Sequence, residues 1–141
     1  MWPNTFAERL ESWNDLKQQI AVLDLIPALD AVNKWWFQTP WTAYHLHWDD
    51  RESWPDPWQL LSDNIYCPLA RGLGIMYTIT LVDRPDLQDA VLAEFSTDNL
   101  VQVAGGKYIL NWDPATMLNI NPGKKNSRHS VAQAQIQQQI R

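Results

Sequence analysis

Tyr66-Cys67-Pro68-Leu69-Ala70-Arg71-Gly72-Leu73-Gly74-Ile75-Met76-Tyr77-Thr78-Ile79-Thr80-Leu81-Val82 is the stretch on which the fold reading turns. Proline directly after the cysteine suits the first turn of a helix, where its missing N–H is not needed. That predicts a short helix from Tyr66 to Leu73, stopped at Gly74. From Ile75 the residues are dense in β-branched side chains and end at Asp83-Arg84-Pro85, which predicts a strand. Helices are expected before this stretch and strands after it.

Working upstream, Thr5-Phe6-Ala7-Glu8 has the Thr-x-x-Glu form of a capping box. Phe6, Leu10, Trp13, Leu16 and Ile20 then recur at helical spacing, predicting a first helix of about four turns. Asp24 opens a second helix with Pro27 in its first turn and Leu25, Leu29, Val32 and Trp36 as its apolar stripe, and Pro40 closes it. Trp54-Pro55-Asp56-Pro57-Trp58 reads as a rigid turn leading into a short helix over Trp58 to Ser62. Downstream, Ala90 to Phe95 is ambiguous by period. Leu100-Val101-Gln102-Val103, Ala104-Gly105-Gly106 and Lys107 to Trp112 form a hairpin signal. The fold class expected is α+β, with N-terminal helices followed by an antiparallel meander of three or four strands. The division is residues 1–23 as an N-terminal helix, 24–120 as the main domain and 121–141 as a basic, Gln-rich arm. Within that arm, Ser130 is expected to cap an amphipathic helix carrying Val131, Ile136 and Ile140.

Composition narrows the function classes. The chain has 141 residues, enough for one core, and nine tryptophans, eight of them within the first 58 positions. Tryptophan suits cores and interfaces alike, and so many in one small domain predict that some face another chain. Net charge is −5, yet no Asp or Glu follows Asp113, while Lys124, Lys125, Arg128 and Arg141 do. An acidic body with a basic arm implies an acidic partner. Four basic residues without interleaved aromatics argue weakly for nucleic acid. A single cysteine excludes an internal disulfide and a cysteine-rich zinc module. Met1-Trp2-Pro3-Asn4 has neither the basic start nor the apolar run of a signal peptide, and no apolar stretch is long enough to span a membrane. A reduced, cytoplasmic site of synthesis is expected.

The order of several motifs resembles a known family. Ala31-Val32-Asn33 on a helix is followed by Trp48-Asp49-Asp50 and then by Asp56-Pro57-Trp58-x-Leu60-Leu61. Next come Cys67-x-x-Ala70, Leu73-Gly74-Ile75, Ala90-Val91-Leu92-Ala93 and Ile109-Leu110-Asn111. From Leu29 to Pro114 the chain is similar to the bacterial transglutaminase-like cysteine proteinases, a branch of the papain/transglutaminase-like fold. Such enzymes need a thiolate at a helix N-terminus, a histidine on a facing strand and an Asp or Asn to orient the imidazole. The resemblance implies Cys67 as the nucleophile, with Asn111, or Asp113 in a shifted hairpin, as the orienting residue. It also implies departures. The family's Gly-Asp-Cys reads Ile65-Tyr66-Cys67, the helix after the cysteine is short by about two turns, and the histidine position falls at Asp89. A carboxylate beside a thiol disfavours the thiolate. His45 and His47 lie upstream of the helix and His129 lies in the arm, so none is on the expected strand.

Other candidate sites carry less. His45, His47 and Asp49 would share one face of an extended strand and could meet a cation, but further ligands are unplaced. Gly72-x-Gly74 lacks the third glycine of a phosphate loop. No cofactor is implied. The resulting expectation is a non-catalytic structural or assembly protein of a bacteriophage particle, located in the virion. Its partners would be other protein subunits, met through Trp35, Trp41, Trp54, Trp58, Lys124, Lys125, Arg128, Ile136 and Ile140. The alternative is a small cysteine hydrolase or peptidase using Cys67.

Overall fold

The computed structural model describes residues 2–95, 98–112 and 129–140. Five α-helices and four strands make up this part: α1 (Phe6–Val22), α2 (Leu25–Trp36), α3 (Pro57–Asp63), α4 (Pro68–Val82), β1 (Val91–Phe95), β2 (Asp98–Val103), β3 (Tyr108–Leu110), β4 (His129–Ala132) and α5 (Gln133–Gln137). The strands form one antiparallel sheet in the order β3-β2-β1-β4. This is the α+β class expected, with three strands in the predicted meander. Asp113, Lys124, Lys125 and Arg128 lie outside the described residues.

Local signals place most of the N-terminal half. Thr5 accepts the Glu8 N–H at 3.1 Å and opens α1; Asp56 accepts the Gln59 N–H at 2.8 Å and opens α3. Trp13, Leu16 and Ile20 turn inward from α1, and Leu29, Val32 and Trp36 from α2, as their spacing requires.

The predicted strand Ile75–Val82 is instead the second half of α4. This helix packs on α1, α2, α3, α5, β1 and β2, and every residue from Gly72 to Thr80 is buried. A helix enclosed on all sides has no polar face, so its 3.6-residue period vanishes from the sequence and β-branched content misleads. Gly74 does not stop it. A Cβ there would overlap the Trp36 ring, and one at Gly72 would come within 2.7 Å of Leu92 Cδ1. Both glycines admit close neighbours. Thr78 then serves the core: its hydroxyl donates to the Gly74 carbonyl at 2.7 Å and accepts from the indoles of Trp13 at 2.9 Å and Trp36 at 3.0 Å.

The end of the chain differs most from expectation. Residues 129–132 are a strand on the free edge of β1, and the five-residue α5 packs on α4. Val131 and Ile136 are fully buried in the chain's own core, and Ile140 packs against it. Gln133 accepts the Ala90 N–H at 3.2 Å and donates to Thr80 at 3.1 Å. The expected docking helix capped by Ser130 is absent here, because β1 and α4 offer these residues better partners than solvent does.

Several tryptophans expected at an interface are also internal. Trp35 is buried and donates to Ser12 at 3.0 Å; Trp54 is buried and donates to the His47 carbonyl at 2.9 Å. Trp58 is partly buried, edge-on to Trp13. The small domain accommodates so many indoles by stacking them edge to face, as in Trp2–Trp35, Trp35–Trp36 and Trp48–Trp54. Trp41 is the exception among the four, at 66% exposure.

Beside this cluster the Tyr66 hydroxyl is buried with no hydrogen-bond partner among the described residues, and burial drives its pKa far above the ordinary tyrosine value. Tyr66→Phe should therefore raise stability by about 1 kcal/mol, read as a higher urea midpoint at unchanged slope. A pKa raised in the folded state means that the Tyr66 contribution is intact below about pH 10 and is lost as pH rises beyond it. The advantage of Tyr66→Phe over the parent should widen above pH 10.

Candidate functional site

Cys67 caps the N-terminus of α4 with extended backbone, and its Sγ accepts the Ala70 N–H at 3.4 Å. The loop after α2 is pinned beside it: the Thr42 N–H donates to the Tyr66 carbonyl at 2.9 Å, and the Leu46 N–H donates to Cys67 Sγ at 3.5 Å. Two backbone donors thus converge on the sulfur, an arrangement suited to a thiolate. The side chain is nearly closed off, at 3% exposure, yet it borders a pocket of about 390 Å³. Tyr44, His47, Trp48 and Asp49 from the loop, Glu94 from β1, Asn99 from β2 and His129 from β4 line the same pocket.

The sheet register explains how the last three meet. Glu94 lies directly opposite Asn99 on one side and His129 on the other. Directly paired residues point to the same face, so Asn99, Glu94 and His129 form one row across three strands. The His129 Nδ1 is 2.9 Å from Glu94 Oε1. An ionised carboxylate only accepts, so a neutral imidazole in this contact is protonated at Nδ1 and has its lone pair at Nε2. That second nitrogen has the Asp49 carboxylate 3.7 Å away, and the ring stacks on Trp48 with planes 10° apart. Trp48 in turn donates its indole N–H to Asn99 Oδ1 at 2.8 Å.

Asn111 stands at the end of β3 with a left-handed backbone, φ 67°. Its side-chain amide donates to the carbonyls of Pro68 at 3.0 Å and Asn99 at 2.6 Å and accepts from Arg71 Nε at 2.8 Å. It fastens the first turn of α4 to β2 and touches no histidine. Arg71 stacks on Phe37, and burial lowers its pKa, opposed by the charge of Cys67. Asp89 lies at the other end of the sheet, where its carboxylate accepts the N–H groups of Ala104 and Gly105 in the β2–β3 turn. Asn99, on β2, lines the pocket that Cys67 borders. The position at which the resemblance expects a histidine, Asp89, is therefore engaged by the β2–β3 turn and does not line the pocket at Cys67.

Glu94, Asn99 and His129 carried no adequate signal in the sequence. His129-Ser130-Val131-Ala132 alternates, but four residues are too few to oppose a helical reading. His45 and His47 do not form a metal cage with Asp49: among the described residues no group of three or more His, Cys, Asp or Glu side chains is arranged to hold a metal ion. Likewise among the described residues, no helix is long and apolar enough to cross a membrane.

No protein-family model matches the chain, and no curated protein does. A solved structure does match. Legionella pneumophila LapG superimposes with a TM-score of 0.67 over 92% of this chain and 77% of its own, at 14% sequence identity. The fold is transglutaminase-like. The helix after the cysteine is longer than the sequence implied, α4 running to Val82 rather than stopping at Gly74. The transglutaminase-like core here also includes the chain's own β4 and α5, which complete the sheet edge and bring His129 to the pocket.

Proposed function

We propose that this chain is a cysteine-dependent hydrolase of amide or ester bonds, a small peptidase in the first instance, with Cys67 as nucleophile. The observation that carries this reading is Cys67 at the start of α4, with two backbone N–H groups on its sulfur, bordering a pocket that also holds a histidine. The fold shared with LapG, that of a transglutaminase-like cysteine protease, supports it. The test is turnover of a fluorogenic peptide library together with iodoacetamide labelling mapped by mass spectrometry. Cys67→Ala should abolish labelling and lower turnover by about 10³-fold or more. Unchanged turnover in that variant would overturn the reading.

A second reading has its own support. Trp41, Tyr44 and Trp112 are half to four-fifths exposed, an unusual display of large aromatic side chains. It makes the domain a non-catalytic assembly component, such as a subunit of a bacteriophage particle, binding other protein subunits through these aromatics. Absence of any Cys67-dependent turnover, with a complex lost on Trp41→Ala, would favour it.

A further inference from the structure

We propose that the general base for Cys67 is His129, delivered by the C-terminal strand β4 and oriented by Glu94. The inference rests on the nucleophile reading above and assigns the residue that reading lacks. The row Asn99–Glu94–His129 puts an imidazole on the pocket-facing side of the sheet, one strand beyond Glu94. Three contacts define the ring. Glu94 holds Nδ1, Trp48 covers one face, and Nε2 faces the Asp49 carboxylate, whose side chain is 93% exposed. A base needs such an arrangement: a ring oriented through Nδ1 by a carboxylate, with Nε2 as the nitrogen that takes up the proton.

The step balances without any further reagent. Nε2 takes the proton from Cys67 Sγ, and the sulfur lone pair forms a bond to the substrate carbonyl carbon. The tetrahedral intermediate collapses, the C–N or C–O bond breaks, and the imidazolium gives its proton to the leaving group. Water, deprotonated by the same Nε2, then cleaves the thioester and restores the thiol. The Asn99 side-chain amide lies in the same pocket with its oxygen already engaged by Trp48. An amide has no titratable lone pair and cannot replace the imidazole. Glu94 is a positioning residue, acting through the ring.

The test is the rate of Cys67 alkylation by iodoacetamide, and of peptide turnover, between pH 5 and 9. The charged and titratable groups around the pair are Glu94 on β1, Asp49 and His47 on the loop and Arg71 on α4. His129→Ala should lower turnover by about 10²-fold or more. It should also slow alkylation at pH 6 about tenfold, the two proteins converging near pH 9, where an ordinary thiol ionises without help. Because position 129 is in a strand, His129→Gln provides a variant that keeps the side-chain length and hydrogen bonding to Glu94. It should show the same loss with an unchanged unfolding midpoint. Glu94→Gln should lower kcat about tenfold or more with KM unchanged, and Glu94→Asp should recover part of it. Full activity and an unaltered pH profile in folded His129→Gln would overturn the assignment of the base. If Cys67→Ala is also fully active, it is the nucleophile reading that fails instead.

Discussion

Thr78→Val is expected to lower the unfolding free energy by about 2–5 kcal/mol, although the two side chains have nearly the same shape. Among the described residues, the hydroxyl of Thr78 is the acceptor for the indole N–H groups of both Trp13 and Trp36, which are fully buried. Valine offers neither donor a partner, and each buried, unsatisfied N–H costs about 1–3 kcal/mol. Against a total stability of about 5–15 kcal/mol for a domain, that is a large share. The measurement is urea unfolding followed by tryptophan fluorescence: the midpoint should fall while the slope holds. Thr78→Ser keeps the hydroxyl and should cost far less. In a Trp13→Phe background the penalty of Thr78→Val should shrink, because one of the two stranded donors is gone. Equal stability of Thr78→Val and the parent would mean that the three-residue junction joining α1, α2 and α4 contributes nothing to cohesion.

The second large effect is expected from removing the end of the chain. A protein ending at Pro122 loses β4 and α5, and with them the burial of Val131 and Ile136, worth about 1.5–3 kcal/mol each. Loss of Gln133 leaves the buried Ala90 N–H without its acceptor, and the free edge of β1 is laid open. The sum, about 5 kcal/mol or more, approaches the whole stability of a domain. The truncated protein should therefore be unfolded or aggregated, with circular dichroism and size-exclusion chromatography as the readouts. Had residues 129–140 been a detachable docking arm, the truncated body would keep its midpoint and lose only a partner. Ile136→Ala in the full chain is the milder form, expected to cost about 2–5 kcal/mol.

Both expectations bear on the site. Thr78 anchors the helix that Cys67 caps, and β4 carries His129. Stability and chemistry therefore draw on the same two elements. A variant that loosens β4 should weaken alkylation at pH 6 before it unfolds the protein, since the imidazole is held by strand pairing and one carboxylate.

Much of this molecule was legible in its sequence, wherever the signal is local. Thr5 and Asp56 announce helix starts through their own side-chain caps, and Cys67-Pro68 does so through the missing N–H of proline. The Ala104-Gly105-Gly106 turn, left-handed at all three residues, announces the hairpin. The order of motifs around Cys67 was enough to point to a transglutaminase-like core. Three matters depended on residues far apart in the chain. The identity of Ile75–Val82 was decided by six elements closing around it, which erases the periodicity that separates helix from strand. The place of His129 was decided by strand pairing with β1, a contact 35 residues away in sequence, where the chain's own letters give no register. The role of Asp89 was decided likewise, by a turn whose N–H groups needed an acceptor. Residue types and caps write themselves into the sequence because their causes lie within a few residues. The neighbours of Cys67 do not, because sheet register and burial are settled only when the whole chain has closed on itself.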